Sequence, residues 1–160
     1  MAVMRVGWGF DAHRFGGAGR TLLGGVVADR ARGVEATSDG DVLAHAVADA
    51  LLGAAALGDL GALFPSGDPR WRGADSMGLL AEVVSRVMAA GYRVTSLDAT
   101  VIAQEVRVAP HREAIRERLA AVLETDAVAV SVKATTTDGL GFLGRDEGLA
   151  AMAIVVLERA

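Results

Sequence analysis

Asp11 and His13, near the N-terminus, and His45, in the segment Ser38-Asp39-Gly40-Asp41-Val42-Leu43-Ala44-His45, are the side chains of this sequence whose types and spacing best suit chemistry. Two of the chain's three histidines are therefore placed beside carboxylates, in segments otherwise built for packing. Residues i and i+2 of an extended or turning segment project to one side, so Asp11 and His13 converge on one point. His45, from a helix, supplies a third donor. Two imidazole nitrogens and a carboxylate oxygen suit Zn²⁺, and three protein ligands leave a tetrahedral position open to a substrate atom, which makes such an ion a Lewis acid. Taken alone, the spacing fits equally a His13 that closes a strand and a His45 on a helix surface, each making one hydrogen bond.

The elements that position these groups follow from patterning. Residues 4–10 read as a strand ending at an Asp11-Ala12-His13 turn. Gly16-Gly17-Ala18-Gly19 is a loop, and residues 21–27 a short hairpin or bulged strand pair. Ser38 or Asp39 caps a helix running to about Leu57, with Leu43, Ala46, Val47, Ala50, Leu51 and Ala54 as its core face. Asp41, His45 and Asp49 form a polar stripe along it, so a carboxylate one turn away could orient the second nitrogen of His45, unless the stripe is a plain surface ion-pair row. A loop carrying Phe64-Pro65-Ser66-Gly67-Asp68 follows, suited either to substrate contact or to a surface connection.

Asp75 caps a second helix to about Ala90, and Gly91 stops it. Residues 92–103 form a strand, Pro110 opens a third helix, and residues 128–133 form another strand. That strand leads into Ala134-Thr135-Thr136-Thr137-Asp138, whose hydroxyls and acid could bind phosphate oxygens and a cation, or simply end a strand. A glycine-spaced loop over residues 139–148 precedes a last apolar strand, residues 149–157. Strands alternating with three helices predict an α+β fold, an α/β sandwich with helices on one face of a mixed sheet. Several strands are apolar on both sides, so the second face points to burial in an oligomer.

Composition narrows the function classes. The 160 residues fit one domain, spanning 1–160. The absence of cysteine excludes disulfides and thiolate ligands, leaving any metal to His and carboxylates. A net charge of -4 offers no general attraction to nucleic acid or anionic lipid, although the arginines could still build a local anion site; a single lysine, Lys133, stands out among them. No apolar run approaches the ~20 residues of a membrane span, and the N-terminal residues lack an apolar export segment, so the expectation is a cytoplasmic protein.

Together these pieces resemble the 2-C-methyl-D-erythritol 2,4-cyclodiphosphate synthase family nearly end to end. The matching stretches are Gly9-Phe10-Asp11-Ala12-His13, Ser38-Asp39-Gly40-Asp41 leading to His45, Asp49-Ala50-Leu51-Leu52-Gly53, and Gly58-Asp59-Leu60-Gly61 with Leu63-Phe64-Pro65. Further along come Ile102-Ala103-Gln104, Lys133-Ala134-Thr135-Thr136-Thr137, and Leu140-Gly141-Phe142 with Gly144-Arg145. Each is weak singly; their order and spacing are specific.

The resemblance implies a homotrimer with active sites between subunits and sheets toward the three-fold axis, and one zinc per subunit on Asp11, His13 and His45. It implies conversion of 4-diphosphocytidyl-2-C-methyl-D-erythritol 2-phosphate to the cyclic diphosphate and CMP, a phosphorus-oxygen lyase reaction. A Mg²⁺ or Mn²⁺ ion on the substrate diphosphate would take its carboxylate from Asp138, with Thr136 donating to the reacting phosphate.

Beside the zinc ligands, Thr37 and Ser38 would meet substrate, and Asp59, Leu60, Gly61, Phe64, Pro65, Ser66, Gly67 and Asp68 would hold the methylerythritol part. Ala103-Gln104-Glu105-Val106-Arg107-Val108-Ala109, with Ala134, Thr135, Thr136, Thr137 and Asp138, would form the cytidine side. Phe142 and Arg145 fall where the family binds phosphate and, in some members, lines an axial channel that takes isoprenoid diphosphates. Thr37 departs from the family's usual histidine, a transition-state group, and Asp138 from its common glutamate. A zinc-dependent nucleotide phosphoesterase, or a trimeric metal- and cytidine-nucleotide-binding protein without turnover, are the competing expectations.

Overall fold

The structure is a computed structural model, and it describes residues 3–160. Its main sheet has four strands in the order β1-β6-β4-β5. β1 (Met4–Arg14) pairs antiparallel with β6 (Gly148–Arg159), β6 antiparallel with β4 (Tyr92–Ile102), and β4 parallel with β5 (Val130–Thr135). A separate hairpin joins β2 (Thr21–Leu23) to β3 (Val26–Asp29) through Gly24-Gly25, both at positive φ, as expected from the sequence.

Three long helices lie on one face: α1 (Val42–Ala55), α3 (Ser76–Ala89) and α4 (Arg112–Leu123). Two four-residue helices, α2 (Leu60–Leu63) and α5 (Gly141–Gly144), interrupt stretches read from sequence as loop. The expected α+β fold with helices on one side of a mixed sheet is observed. A continuous core joins Leu43, Leu51 and Leu52 of α1 to Leu80 and Val83 of α3, Leu119 of α4, and the inward residues Leu149, Ala151 and Ala153 of β6.

Four boundaries differ from the sequence reading, each for a reason that the structure shows. β1 does not turn at Asp11 but continues to Arg14, because β6 pairs with it throughout, His13 opposite Leu149 and Arg14 opposite Gly148. The cap of α1 is neither Ser38 nor Asp39 but Asp41, whose carboxylate accepts the Ala44 N–H at 3.0 Å after the turn at Gly40. The helix ends at Ala55 rather than Leu57, because Ala56 adopts the left-handed conformation, φ 58°, and closes the last turn. Pro110 sits in a 3-10 turn preceding α4 rather than in the helix itself.

Asp41 is completely buried and also accepts the Gly24 and Gly25 N–H groups, at 2.9 and 2.6 Å, tying the hairpin turn to the start of α1. Burial pushes its carboxyl up, while the N–H groups of Ala44, Gly25 and Gly24 pull the other way.

Alternation along the strands separates two faces. Gly7, Gly9, Asp11 and His13 of β1 point toward α1, while Val6, Trp8 and Phe10 point away and are exposed. Trp8 is level with Ile154 and Phe10 with Met152, also exposed, so one half of the outer face is a contiguous apolar patch. The other half, on β4 and β5, is polar and carries the Lys133 to Asp98 ion pair at 2.7 Å. No helix is long and apolar enough to cross a membrane among the described residues.

α1 presses directly on β1. A Cβ at Gly9 would lie 1.9 Å from the Ala46 carbonyl oxygen, and one at Gly7 would lie 1.9 Å from that of Ala50. Gly9→Ala is therefore expected to destabilise the protein by about 1–3 kcal/mol or more. Gly67→Ala, at a site with nothing within 4 Å, should stay within roughly 0.5 kcal/mol. Denaturant unfolding of both variants checks this; equal midpoints would mean that α1 does not depend on close backbone contact.

Candidate metal centre and substrate pocket

The glycine contact sets the depth at which α1 crosses β1, and His45 lies one residue before Ala46 on that helix. Its ring therefore meets the two side chains that follow Gly9 on the inward face of β1. Asp11 Oδ2 lies 2.9 Å from His45 Nδ1 and 3.1 Å from His13 Nε2, and the two ring nitrogens are 3.3 Å apart. Donors around a tetrahedral ion with bonds of about 2.0 Å stand roughly 3.3 Å from one another. The spacing and the donor types both fit a divalent ion, and Asp11, His13 and His45 form the candidate ligand cluster expected from the sequence.

Without an ion, the same contacts favour a charged Asp11 and a charged His45. Burial would raise the Asp11 carboxyl, but hydrogen bonds and charge from His13 and His45 overcome it and hold Asp11 well below the usual carboxylate range. Burial would lower His45, but the hydrogen bond and charge of Asp11, with the field of Asp41 and Asp39, raise it above 6.5.

The second nitrogen of His45 does not meet Asp41 or Asp49, as the helical stripe suggested. Asp41 is consumed as a cap, and Asp49 Oδ1 accepts the Leu60 N–H at 2.7 Å, anchoring α2. His45 Nε2 instead lies 2.8 Å from Ser76 Oγ at the start of α3 and 3.2 Å from Ser38 Oγ. Nothing in the local sequence around His45 signals Ser76, which reaches it only through the packing of α3 beside α1.

A cavity of about 390 Å³ opens beside the cluster. His13, His45, Thr37, Ser38, Leu60, Gly61, Phe64, Pro65, Ser66 and Gly67 line it, as expected, and so do Ala36, Trp71 and Leu79, which the sequence reading passed over. Trp71 packs edge-on against Phe64, with ring centroids 4.9 Å apart. An aromatic residue in a polar loop was the available signal for it. Thr37 accepts the Gly73 N–H on its carbonyl at 2.7 Å, which ties the outer loop to the pocket wall.

Asp59 and Asp68 are outside this lining. Asp59 caps α2 by accepting the Ala62 N–H, and Asp68 caps the turn at Pro69–Trp71 and pairs with Arg70.

The remaining expected residues gather elsewhere. Ile102 is level with Thr135 where β4 and β5 end, the Ala103 N–H donates to the Thr135 carbonyl, and Gln104 Oε1 accepts the Gly139 N–H at 3.3 Å. Residues 103–109 and 134–138 therefore form one surface. Ala103, Val106 and Val108 turn their side chains into the core, while Glu105 and Arg107 are exposed and Ala109 opens the turn before α4. Ala134 is exposed at the end of β5.

The Thr136 hydroxyl donates to Asp138 Oδ1 at 3.3 Å, Thr137 donates to the Leu140 carbonyl at 2.7 Å, and Asp138 takes φ 53°. Asp11, Ala151, Val101 and Ala134 are in register across the sheet. This surface and the metal cluster thus occupy the same end but opposite edges, three strand spacings or about 14 Å apart. Phe142 lines a separate cleft with Ala12, His13 and Glu147, and Arg145 pairs with Glu147 at 3.0 Å.

The proton on His45 makes metal binding a competition. The pair's contribution to the metal-free protein is present above the ordinary Asp value of 3.8 and below the ordinary His value of 6.5, and is lost as pH rises through the raised His45 value. Zinc affinity should rise over that same interval. Thermal unfolding of chelator-treated and zinc-loaded protein from pH 6 to 9 should show a gap that widens with pH; a constant gap would overturn this assignment of charge.

The YgbB family matches residues 4–158. The 2-C-methyl-D-erythritol 2,4-cyclodiphosphate synthase of Moorella thermoacetica is 56% identical over 96% of this chain and 94% of its own. A Plasmodium falciparum protein solved as a CDP complex superposes with a TM-score of 0.85 at 29% identity, covering 98% of this chain and 96% of that one. The bifunctional IspDF of Campylobacter jejuni superposes with a TM-score of 0.97 at 41% identity; all of this chain matches 43% of that longer one. Sequence, fold and the convergence of Asp11, His13 and His45 agree: the chain belongs to the 2-C-methyl-D-erythritol 2,4-cyclodiphosphate synthase (YgbB) family.

Proposed function

We propose that this protein converts 4-diphosphocytidyl-2-C-methyl-D-erythritol 2-phosphate to 2-C-methyl-D-erythritol 2,4-cyclodiphosphate and CMP, in non-mevalonate isoprenoid precursor synthesis in the cytoplasm. The observation that carries the reading is the preformed Asp11, His13 and His45 cluster opening into the cavity, in a chain 56% identical to a synthase of that name. A 2-phosphate oxygen attacks the β-phosphorus, the bond from that phosphorus to the bridging oxygen breaks, and the oxygen leaves with CMP. Nucleophile and leaving group are both phosphates, so the reaction is a phosphorus-oxygen lyase step that needs little proton transfer. Its barrier is the folding of two anions against one another, which positioned donors and cations lower.

Zinc on Asp11, His13 and His45, and Mg²⁺ or Mn²⁺ at Asp138, would supply Lewis-acid polarisation and charge neutralisation for the phosphates. The chain itself encloses and orients. Leu60, Phe64, Trp71 and Leu79 form an apolar wall that excludes water from the methylerythritol part, with Gly61, Pro65, Ser66 and Gly67 as its floor. The Thr37 and Ser38 hydroxyls donate to phosphate beside the metal ligands. Thr136 donates to the reacting phosphate, and the backbone of residues 103–109 with Ala134 and Thr135 reads the cytosine edge and ribose. Asp59 and Asp68 contribute through the loops that they cap.

Because residues 134–138, which we assign to the cytidine side, and the Asp11, His13 and His45 cluster occupy opposite sheet edges, we assign a complete site to two neighbouring subunits of a homotrimer. The exposed Val6, Trp8, Phe10, Met152 and Ile154 face would be buried about the three-fold axis. Phe142 and Arg145 would line the axial channel there, open to an isoprenoid diphosphate.

Phosphorus NMR of zinc-loaded protein with this substrate and Mg²⁺ should show CMP and cyclic diphosphate in equal amounts; an opened diphosphate or unchanged substrate would overturn the proposal. His45→Ala should lose zinc and turnover together. Thr37→His should leave zinc content unchanged and raise kcat on the order of tenfold or more. Ile154→Glu should convert the trimer to monomers by light scattering and abolish turnover while zinc stays bound; an active monomer would exclude a shared site.

A further inference from the structure

Behind the metal cluster, His45, Ser76 and Asp39 form a hydrogen-bonded chain that runs away from the cavity. Ser76 is 1% exposed and lies in the first turn of α3. Its hydroxyl donates to Asp39 Oδ1, and its backbone N–H donates to Asp39 Oδ2 at 3.0 Å. Asp39 is fixed in turn, since its N–H donates to the Ala74 carbonyl at 3.0 Å and its Oδ1 accepts the Asp41 N–H at 3.2 Å.

The direction of this chain follows from the donors available. An ionised carboxylate only accepts, so the one hydroxyl proton of Ser76 is committed to Asp39. The Ser76 oxygen can then only accept from His45 Nε2, 2.8 Å away. Ser38 Oγ, 3.2 Å from the same nitrogen, accepts the Gly40 N–H and is a second, longer acceptor. With Nε2 protonated, the lone pair of a neutral His45 ring resides on Nδ1, the atom facing Asp11 and His13.

We infer that Ser76 and Asp39 are positioning residues that hold the His45 imidazole in the tautomer and orientation needed for metal binding through Nδ1. This rests on the reading of Asp11, His13 and His45 as metal ligands. Outer partners of this kind typically change metal affinity by about 10–100-fold.

The test is zinc affinity by competition with a chromophoric chelator, together with ¹⁵N NMR of the His45 ring in the zinc-loaded protein. Ser76→Ala leaves the α3 cap in place, since Asp75 Oδ1 accepts the Met77 N–H. It should lower zinc affinity about 10–100-fold with little change in the melting temperature of metal-free protein. Asp39→Asn removes the acceptor-only partner, and should also lower affinity and shift the His45 Nε2 resonance of the zinc-loaded protein. Zinc affinity within twofold of the original in both variants, with His45→Ala losing zinc, would overturn the positioning role alone. Retention of zinc by His45→Ala would overturn the ligand reading and this inference with it.

Discussion

The contact of α1 with β1 at Gly7 and Gly9 governs the geometry of the site. A side chain at either glycine would meet helix backbone, and an overlap with backbone can be relieved only by moving the helix. With both positions bare, the α1 carbonyls sit against the strand and His45 comes level with Asp11 and His13. The ligands then converge from two rigid elements, a helix and a strand paired along its whole length, which is the kind of support a metal site needs. Asp41 reinforces it by joining the start of α1 to the Gly24-Gly25 turn through three backbone donors.

Electrostatics complements this packing. A carboxylate and two imidazoles brought together in a half-buried cleft are costly unless their charges complement one another, and the 2.9 Å contact of Asp11 with His45 favours the charged form of each. The opposing shifts share one contact but not one cause: His13 and His45 together hold Asp11 down, and Asp11, with the field of Asp41 and Asp39, raises His45. A divalent ion could use the same three donor atoms, which the folded state already holds within reach of one another.

Sheet order separates the two groups of candidate residues. β1 and β5 are opposite edges of the four-stranded sheet, so the Asp11 and His13 side chains at the end of β1 and the threonine segment at the end of β5 share one end of the sheet but not one edge. One chain thereby presents two separate candidate surfaces. The apolar face formed by Trp8 and Phe10 of β1 with Met152 and Ile154 of β6 is left uncovered by the helices, and its burial in an assembly would bring one chain's first surface to another's second.

Much was determined by sequence. The Asp11-x-His13 spacing, the Asp75 cap, the stop at Gly91 just past α3 and the Gly24-Gly25 turn depend on residues near in the chain, and local sterics and hydrogen bonding decide them. The end-to-end motif order carried the family and its expected ligands. Tertiary structure decided what depends on distant partners. β1 runs through Asp11 because β6 pairs with it, and Asp41 is a buried cap because the hairpin turn lies over it. Trp71 reaches the pocket by packing on Phe64, and Ser76 meets His45 because α3 lies beside α1. Local residues specify the ends of an element and the face it buries; which groups meet across that face depends on how elements distant in sequence pack, and no spacing within one segment encodes that.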